Sequence, residues 1–361
     1  MENNRNKYIE NTLTMILETN RDYSIDLVKS VAIFSVIAWH FFDLHTPYLY
    51  SNYNGLSMFL QGFFMKVFQV CVPLFCLCTG YLNYNKTKYN KKYIKGILKV
   101  LSSYIFFCII FFFFRTLILH EDISLRHAIG MTLRFNMIRY GWYIEMWIGL
   151  YLLTPLINKA LNLCTKKETL TICFILYFLT SLPNTFNRFG FYLFPAFWTQ
   201  IWPLTYYVVG RYIKENESVK NTKNLLLVTF IFIGSLLEPI LNIFYTESSD
   251  YQWLLGSQNE NIIIVPVSIA VFVLLLKIQF NKNTSKYIVK KISQYSLDMY
   301  LCCWMFDVLL YPFFLSHYYE SQSTFWPYFF IIIPLCFIFS FITAGIKDLI
   351  FKLLKIEKIW K

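Results

Sequence analysis

The chain has 361 residues, of which 57% are hydrophobic, 20% aromatic and only 15% charged. A soluble domain cannot bury so much apolar surface, so the composition predicts a protein that crosses a membrane several times. The formal net charge of +12 does not indicate a nucleic-acid partner, because the positive residues concentrate at one side of the predicted membrane.

The first 22 residues are polar and include Arg5, Lys7 and Arg21. A cleavable signal peptide would place an apolar core here, followed by small residues at a cleavage site, and neither is present. We therefore expect residues 1–22 to remain attached as a cytoplasmic N-terminal segment.

The first apolar stretch, IDLVKSVAIFSVIAWHFFDLH, contains four ionisable residues although it is apolar enough to cross a bilayer. Asp26 and Lys29 are three residues apart, and Asp43 follows His40 by three. The eleven residues from Lys29 to His40 span about 16 Å and end roughly 20° from a whole number of helical turns. All four side chains are therefore predicted to share one stripe, which must face the bundle interior or an aqueous cavity.

This stripe combines groups that suit a chemical reaction. A cation at the cytoplasmic mouth, Lys29, suits a phosphorylated ligand, and a histidine deeper in the membrane, His40, suits proton transfer. Asp43 is placed to fix the tautomer of that histidine. The alternative is structural: His40 bonds to a neighbouring helix, and Lys29 extends its ammonium group to the cytosol.

The segment from residue 115 to 139 is amphipathic and contains four arginines. We interpret it as a short helix on the outer face of the membrane, with its apolar residues at Ile123, Leu125, Ile129, Leu133 and Ile138. Two interpretations remain open: an interfacial helix whose arginines reach water, or a cationic rim for a polar or anionic substrate.

The motif GWYIEMW follows this segment and places an acid among aromatic rings. Trp142 and Tyr143 have the side chains to stack on a sugar ring, with Arg139 beside them, so these three are candidate acceptor-binding residues. Glu145 is a further catalytic candidate. The alternative is an aromatic belt with a Glu145–Arg139 ion pair.

Later helices contain further acids. Asp307 follows Cys303 by four residues and is expected to bond across helices, whereas Glu238 has no evident partner and Asp298 is expected to cap a turn. The nine cysteines lack the His and Cys spacing of a zinc site. We therefore predict neither a metal site nor a disulfide framework, and interpret the cysteines as packing residues.

The apolar runs predict an all-α, polytopic integral membrane bundle of about ten transmembrane helices. The runs fall near residues 25–44, 59–83, 95–119, 142–163, 168–182, 198–213, 224–245, 261–280, 293–315 and 325–350. The transmembrane domain then covers residues 23–354 and is followed by a basic cytoplasmic tail, 355–361. The sequence indicates no internal repeat and no particular oligomeric state.

The distribution of positive charge sets the orientation. If both termini are cytoplasmic, the inside segments hold 27 of the 33 lysines and arginines, as the positive-inside rule requires. An odd number of spans would break this alternation. The net charge is thereby explained by lysines that anchor the chain against anionic membrane lipid.

Four motifs in chain order resemble the membrane-bound acyltransferase 3 family, whose members include O-acetyltransferases of bacterial surface sugars. Members open with an (I)D-x-x-(R/K)-x(10)-H helix, which is similar to Ile25 to His40 here. The other matches are VPLFCLCTGYL (72–82), GWYIEMWIGLYLLTPLIN (141–158) and SLDMYLCCWMFDVLLYP (296–312). Two positions depart from the pattern: Lys29 replaces the usual arginine, and Cys302-Cys303 stand where many members have a histidine.

The resemblance implies a multi-pass enzyme of the bacterial plasma membrane with acyl-CoA, most often acetyl-CoA, as a co-substrate and no permanently bound cofactor. It implies that His40 is the essential catalytic residue. The expected donor-binding residues include Asp26 and Lys29 of the first-span motif. Because members also carry basic residues at the start of the third span, Lys91, Lys92 and Lys95 are expected to bind the donor as well. Topological anchoring explains the last three lysines equally well.

The implied acceptor is a hydroxyl of a surface polysaccharide or a lipid-linked glycan. His40 would act either as a general base on that hydroxyl or as a covalent carrier of the acyl group. Two competing classes are a transporter or flippase for a lipid-linked glycan, and a non-catalytic membrane sensor. A transporter more often shows internal repeats.

Overall fold

The structure, a computed structural model, describes residues 21–187, 192–245, 250–256 and 259–359. Within these residues the chain is all-α, as predicted, and a single isolated antiparallel bridge joins Asn52 to Asp250. The helices are α1 Tyr23–His40, α2 Gly55–Phe68, α3 Cys71–Asn83, α4 Lys91–Phe113, α5 Leu125–Leu133, α6 Trp142–Leu161, α7 Lys166–Phe186, α8 Trp202–Glu215, α9 Asn224–Tyr245, α10 Ile264–Leu276, α11 Asn283–Tyr318, α12 Gln322–Phe325 and α13 Phe329–Leu353.

Several of these helices can cross a membrane, which confirms a polytopic bundle. Seven stretches are long and apolar enough: Tyr23–His45, Gly55–Asn83, Lys91–Ile118, Lys166–Phe186, Asn224–Tyr245, Asn283–Tyr318 and Gln322–Leu353. The three other predicted spans are helices too, namely α6, α8 and α10. With 14 and 13 residues, α8 and α10 are only about 20 Å long. The count of ten spans and the location of both termini stay predictions.

Helix α1 begins where the sequence supplies a cap. Asp22 has an extended backbone, and its side chain accepts a hydrogen bond from the Ser24 backbone N–H at 3.1 Å. Such a cap satisfies a backbone donor that the first turn leaves unpaired. The helix then runs to His40 and continues as one π-helical turn, Phe41–His45.

Helix α1 lies at the centre of the bundle and packs against α2, α3, α10, α11 and α13. Its residues Val28, Ala32, Ile33 and Ile37 are fully buried. On α11, the neighbouring Cys302 and Cys303 are buried as well. All nine cysteines are free, which agrees with their interpretation as packing residues.

The starts of α1, α4 and α11 and the end of α13 meet at one end of the bundle, which we call the lysine-rich end. The Lys286 ammonium of α11 lies 5.8 Å from the Tyr23 ring centroid of α1. Lys347 of α13 donates to Ser103 of α4 at 2.7 Å and to Asp298 of α11 at 3.1 Å. Asp298 therefore lies inside α11 as half of a buried ion pair between helices, so the expectation that it caps a turn is wrong.

Helices α3 and α8 approach closely because each presents a glycine. A Cβ atom added to Gly80 would collide with the Tyr207 backbone carbonyl, and one added to Gly210 would collide with that of Leu77. Small residues at such crossings allow two membrane helices to touch through their backbones. Gly80 belongs to the VPLFCLCTGYL motif, so this motif has a packing role in the fold.

The amphipathic segment after α4 forms the short helix α5, as the sequence predicts. Ser124 caps it by accepting from the His127 backbone N–H at 3.3 Å. Leu125, Ile129 and Leu133 are exposed along one face. The predicted apolar residue Ile138 lies beyond this helix and is fully buried.

Candidate active site

The π-helical turn after α1 brings two histidines together. In a regular α-helix, His45 would lie about 140° around the axis from His40, five residues earlier. The wider π turn places the two ring centroids 6.1 Å apart. Single π turns of this kind occur often at functional sites.

Asp307 of α11 reaches across the helix interface to both histidines. Its Oδ2 atom lies 3.2 Å from His40 Nδ1 and 3.3 Å from His45 Nε2. A carboxylate only accepts hydrogen bonds, so His40 Nδ1 must carry the proton in this contact. In the neutral imidazole, the other nitrogen, Nε2, then has a free lone pair.

Tyr140, in the turn before α6, completes the cluster. Its hydroxyl donates to Asp307 Oδ2 at 2.9 Å and lies 3.0 Å from His45 Nε2. Its ring stacks on the His40 imidazole, with centroids 4.2 Å apart. On the other side, the His45 ring stacks on Tyr311 at 4.7 Å. The orientation of His40 is therefore fixed by one hydrogen bond and one stacked ring.

The surroundings of Asp307 explain how the fold accepts its charge. The side chain is fully buried, and burying a carboxylate is costly unless donors replace the lost water. Here His40 and Tyr140 donate to one oxygen atom of Asp307, and His45 Nε2 lies 3.3 Å from the same atom. Four side chains thus share one buried negative charge: His40, His45, Tyr140 and Asp307. We call them the histidine–aspartate cluster.

The same residues are of the types that bind zinc. The potential ligand atoms of His40, His45 and Asp307 all lie within 4.8 Å of one another. Two histidines and a carboxylate are common ligands of this metal. However, Asp307 Oδ2 already accepts N–H and O–H donors at hydrogen-bond distances, so this oxygen is satisfied without an ion.

A cavity of about 410 Å³ lies beside the cluster. Three tryptophan rings, two side-chain amides and one arginine contribute to its wall together with His40 and Asp43. Its lining consists of Val36, Trp39, His40, Asp43, Leu44, Cys71, Val72, Arg139, Tyr140, Trp142, Gln200, Trp202, Asn259 and Tyr300. His40 Nε2 has no hydrogen-bond partner among the described residues, so it is available to a ligand in this cavity.

Four of the residues predicted for the site line this cavity: His40, Asp43, Arg139 and Trp142. Asp43 makes no hydrogen bond to His40 within the described part of the chain. The partner of the His40 ring is instead Asp307. The carboxylate that orients His40 thus comes from another helix and not from Asp43, to which the sequence assigns this role. Asp43 only borders the cavity.

The two remaining outer candidates lie outside the lining. Tyr143 is buried and packs against Tyr300, with ring centroids 5.0 Å apart. Glu145 is exposed on the surface of α6. The described residues contain no ion pair between Glu145 and Arg139, so the structure gives that pairing no support.

The predicted donor-binding residues lie towards the lysine-rich end and do not line the cavity. Asp26 is buried and receives two hydrogen bonds from Arg21, at 2.6 and 3.0 Å. Lys29 is half-buried on α1, eleven residues before His40. At the start of α4, Lys91 and Lys92 are exposed and Lys95 is half-buried.

A further buried ion pair lies between α2 and α9. Lys66 pairs with Glu238, donates to Gln69 at 3.0 Å and lies 4.6 Å from the Trp253 ring centroid. This partner of Glu238 is not evident from the sequence alone. The pairing satisfies two charges inside the membrane, because each provides the counter-ion of the other.

Three members of the histidine–aspartate cluster are not among the site residues that the sequence predicts: His45, Tyr140 and Asp307, the last of which is expected only to bond across helices. At 100° per residue, His45 leaves the stripe that contains His40, so only recognition of the π turn would have included it. Tyr140 directly precedes the GWYIEMW motif. Its position beside that aromatic motif is the one signal in the sequence that points to it.

Comparison with known proteins adds one finding. A family model described as an acyltransferase domain matches residues 22–345, nearly the whole chain. The matched range includes every residue of the histidine–aspartate cluster and of the cavity lining. No match was found among curated proteins or among solved structures.

Proposed function

The chain belongs to the acyltransferase-domain family and is a membrane acyltransferase, and from this premise we propose that it moves an acetyl group from acetyl-CoA to a glycan hydroxyl. The acceptor would be a surface polysaccharide or a lipid-linked glycan of a bacterial cell. One observation carries the mechanism. The Asp307 carboxylate accepts a hydrogen bond from His40 Nδ1. His40 borders the cavity, and its Nε2 atom has no hydrogen-bond partner among the described residues.

In the direct reaction, the acceptor hydroxyl lies within hydrogen-bond distance of His40 Nε2. The hydroxyl oxygen attacks the thioester carbonyl while Nε2 takes the hydroxyl proton. The carbon–sulfur bond then breaks, and the departing thiolate takes that proton from the imidazolium. Asp307 stabilises the imidazolium between these two proton transfers, because its negative charge lies 3.2 Å from Nδ1.

The second route uses the same nitrogen as a nucleophile. Nε2 attacks the thioester, the carbon–sulfur bond breaks, and the acetyl group is held on Nε2. The acceptor hydroxyl oxygen then attacks the acetyl carbonyl, the bond to Nε2 breaks, and the hydroxyl proton passes to the thiolate. Both routes require an unprotonated Nε2 that faces the cavity. The geometry of the cluster supports that requirement, which the two routes share.

The cavity has the composition of a sugar site. Trp39, Trp142 and Trp202 offer aromatic faces, while Gln200 and Asn259 offer amide donors and acceptors. Its volume of about 410 Å³ is in the range of pockets that hold small ligands, roughly 300–1,000 Å³. We therefore place the acceptor in this cavity.

The donor would enter from the lysine-rich end. Its phosphates would be bound by Lys29 and by Lys91, Lys92 and Lys95, which form charge-assisted hydrogen bonds with phosphate oxygens. Lys29 and His40 lie about 16 Å apart along α1. The thin pantetheine arm of the donor, when extended, has a length of the same order. The positive charge of these lysines complements the donor phosphates and supports an entry of the donor at this end.

The decisive experiment measures transfer of labelled acetyl groups. Membranes from cells that express the protein are incubated with radiolabelled acetyl-CoA, and label is followed into the lipid-linked and surface glycans of the host. We expect transfer by the wild type and at least about 100-fold less by His40→Ala, since general-base catalysis contributes roughly 10²–10⁴-fold. His317→Ala is the matched control, because His317 is exposed and far along α11 from the cluster.

Two outcomes would contradict the proposal. Full activity of His40→Ala at equal expression would exclude His40 as base or carrier. A change in glycan export with no change in the O-acetyl content of the glycan would favour a flippase. Nuclear magnetic resonance of surface polysaccharide from cells with and without the gene measures that content directly.

A further inference from the structure

A groove of about 580 Å³ runs between α11 and α13 near the lysine-rich end. Its wall is formed largely by Ile288, Ile292, Phe337, Ile338, Phe341 and Ile342. It shares no residue with the cavity beside His40. We propose that this groove binds one acyl chain of an anionic phospholipid, whose phosphate contacts Lys291.

The depth of the groove matches one leaflet of a bilayer. Helix α11 has 36 residues and is about 54 Å long, so it extends beyond a hydrocarbon core of about 30 Å at both ends. Lys291 lies about 12 Å from the first residue of α11, near the boundary between hydrocarbon and headgroups. On α13, the groove residues Phe337 and Gly345 lie about 24 and 12 Å from the helix end at Leu353.

The shape of the groove favours a flexible chain. At Gly345, an added Cβ would meet only one neighbouring atom within 4 Å, a Tyr295 ring carbon at 3.8 Å. The absence of a side chain at this position deepens the space between the helices. Ile288, Ile338 and Ile342 are each about half exposed, so their outer faces pack on no other part of the described chain. In a membrane, hydrocarbon covers such faces.

The charge at the mouth of the groove favours an anionic headgroup. Lys291 is half-buried, and its ammonium lies 5.9 and 5.5 Å from the ring centroids of Tyr287 and Tyr295. It has no ion-pair partner among the described residues. The nearby Asp348 carboxylate is bound by Lys352 at 2.7 Å and by the Tyr295 hydroxyl at 3.3 Å, so the positive charge of Lys291 remains available to a phosphate.

Binding is measured by native mass spectrometry of the full-length protein in detergent. The probes are phosphatidylglycerol and phosphatidylcholine with identical acyl chains. We expect the wild type to retain phosphatidylglycerol about five-fold better, since one lysine near an anionic surface is worth roughly that factor. Lys291→Gln should lose the preference, and Gly345→Leu should reduce retention of both lipids by filling the groove.

Matched controls test whether these effects belong to the groove. Lys282→Gln removes an exposed lysine just before α11, and Gly149→Leu adds the same side chain at an exposed glycine of α6; both should leave retention unchanged. If Gly345→Leu does not fold, Lys291→Gln and competition by inorganic phosphate decide the question. Equal retention of the two lipids by the wild type would overturn the proposal.

Two further results would also overturn it. Displacement of the lipid by millimolar inorganic phosphate would show a site for the free anion. A dimer that Gly345→Leu dissociates would show that a second copy of the chain occupies the groove.

Discussion

Asp307 Oδ2 is the atom on which His40, His45 and Tyr140 converge, so the carboxylate should govern the reactivity of His40. In Asp307→Asn, the negative charge that stabilises the imidazolium is lost, and an amide that turns its N–H₂ group towards His40 Nδ1 no longer fixes the Nδ1–H tautomer. We expect kcat to fall by up to about 10⁴-fold, the order of loss that follows when an orienting carboxylate becomes an amide. The measurement is the initial rate of acetyl transfer at matched protein levels.

Asp43→Asn is the companion variant, because Asp43 borders the cavity without a hydrogen bond to His40 in the described chain. Its loss of kcat should be smaller than that of Asp307→Asn. The reverse order would assign the orienting role to Asp43, as its spacing in the sequence suggests, and would contradict the geometry of the cluster.

The Tyr140 hydroxyl should contribute less to kcat than the Asp307 carboxylate to which it donates a hydrogen bond. Tyr140→Phe keeps the ring stacked on His40 but removes one donor to Asp307. A hydrogen bond to a charged group is worth about 1.5–3 kcal/mol, so we expect kcat to fall by about 10–100-fold while KM for the acceptor stays nearly constant. Steady-state kinetics with varied acceptor separate the two constants.

Tyr311→Phe is the control for this variant. Tyr311 stacks on His45, and its buried hydroxyl has no hydrogen-bond partner in the described chain. Loss of that hydroxyl should leave kcat unchanged. Equal losses in Tyr140→Phe and Tyr311→Phe would indicate a general packing effect and not support of Asp307.

Among the helices, the contact of α3 with α8 should be the most sensitive to one added methyl group. Gly80→Ala places a Cβ against the Tyr207 carbonyl, and overpacking of this kind costs about 1–3 kcal/mol. We expect a lower Tm for the purified protein in detergent. In Gly149→Ala, the Cβ has no neighbour within 4 Å, so its Tm should be unchanged or slightly higher, and a Tm loss equal to that of Gly80→Ala would contradict the packing argument.

Sequence periodicity predicted α1 well because its residues follow one regular helix over most of its length. The stripe containing Asp26, Lys29 and His40 depends only on 100° per residue. The π turn breaks this rule after His40, which explains why His45 was missed. Spacing along α1 favours Asp43 as the partner of His40 for a different reason, because the periodicity of one helix cannot reveal a carboxylate on another helix, 267 residues away.

Contacts between helices were the part that the sequence could not specify. Asp307 was expected to bond across helices, but its partners depend on how α11 lies against α1. Lys66 and Glu238 lie in different spans, and their pairing depends on the relative heights of α2 and α9. Apolar runs indicate where a helix lies in the chain, but they do not fix its rotation or height against its neighbours.

At the scale of the whole molecule, the two ends of the bundle differ in charge and in the residues proposed for function. The lysine-rich end contains Lys29, the start of α4 and the groove between α11 and α13. The opposite end contains the cavity, the histidine–aspartate cluster and the arginines of the segment 115–139. This asymmetry suits an enzyme that takes its donor from one side of a membrane and its acceptor from the other.

The orientation of the bundle gives the last prediction, because it decides which acceptors can reach His40. If the lysine-rich end is cytoplasmic, a cysteine at Arg126 on α5 reacts with a membrane-impermeant maleimide in intact cells. A cysteine at Lys282 reacts only after permeabilisation. Eight native cysteines are buried and Cys164 is half-buried, so the unmodified chain is the control for background labelling. The reverse pattern would place the cavity on the cytosolic side, and a surface glycan could then not be its acceptor.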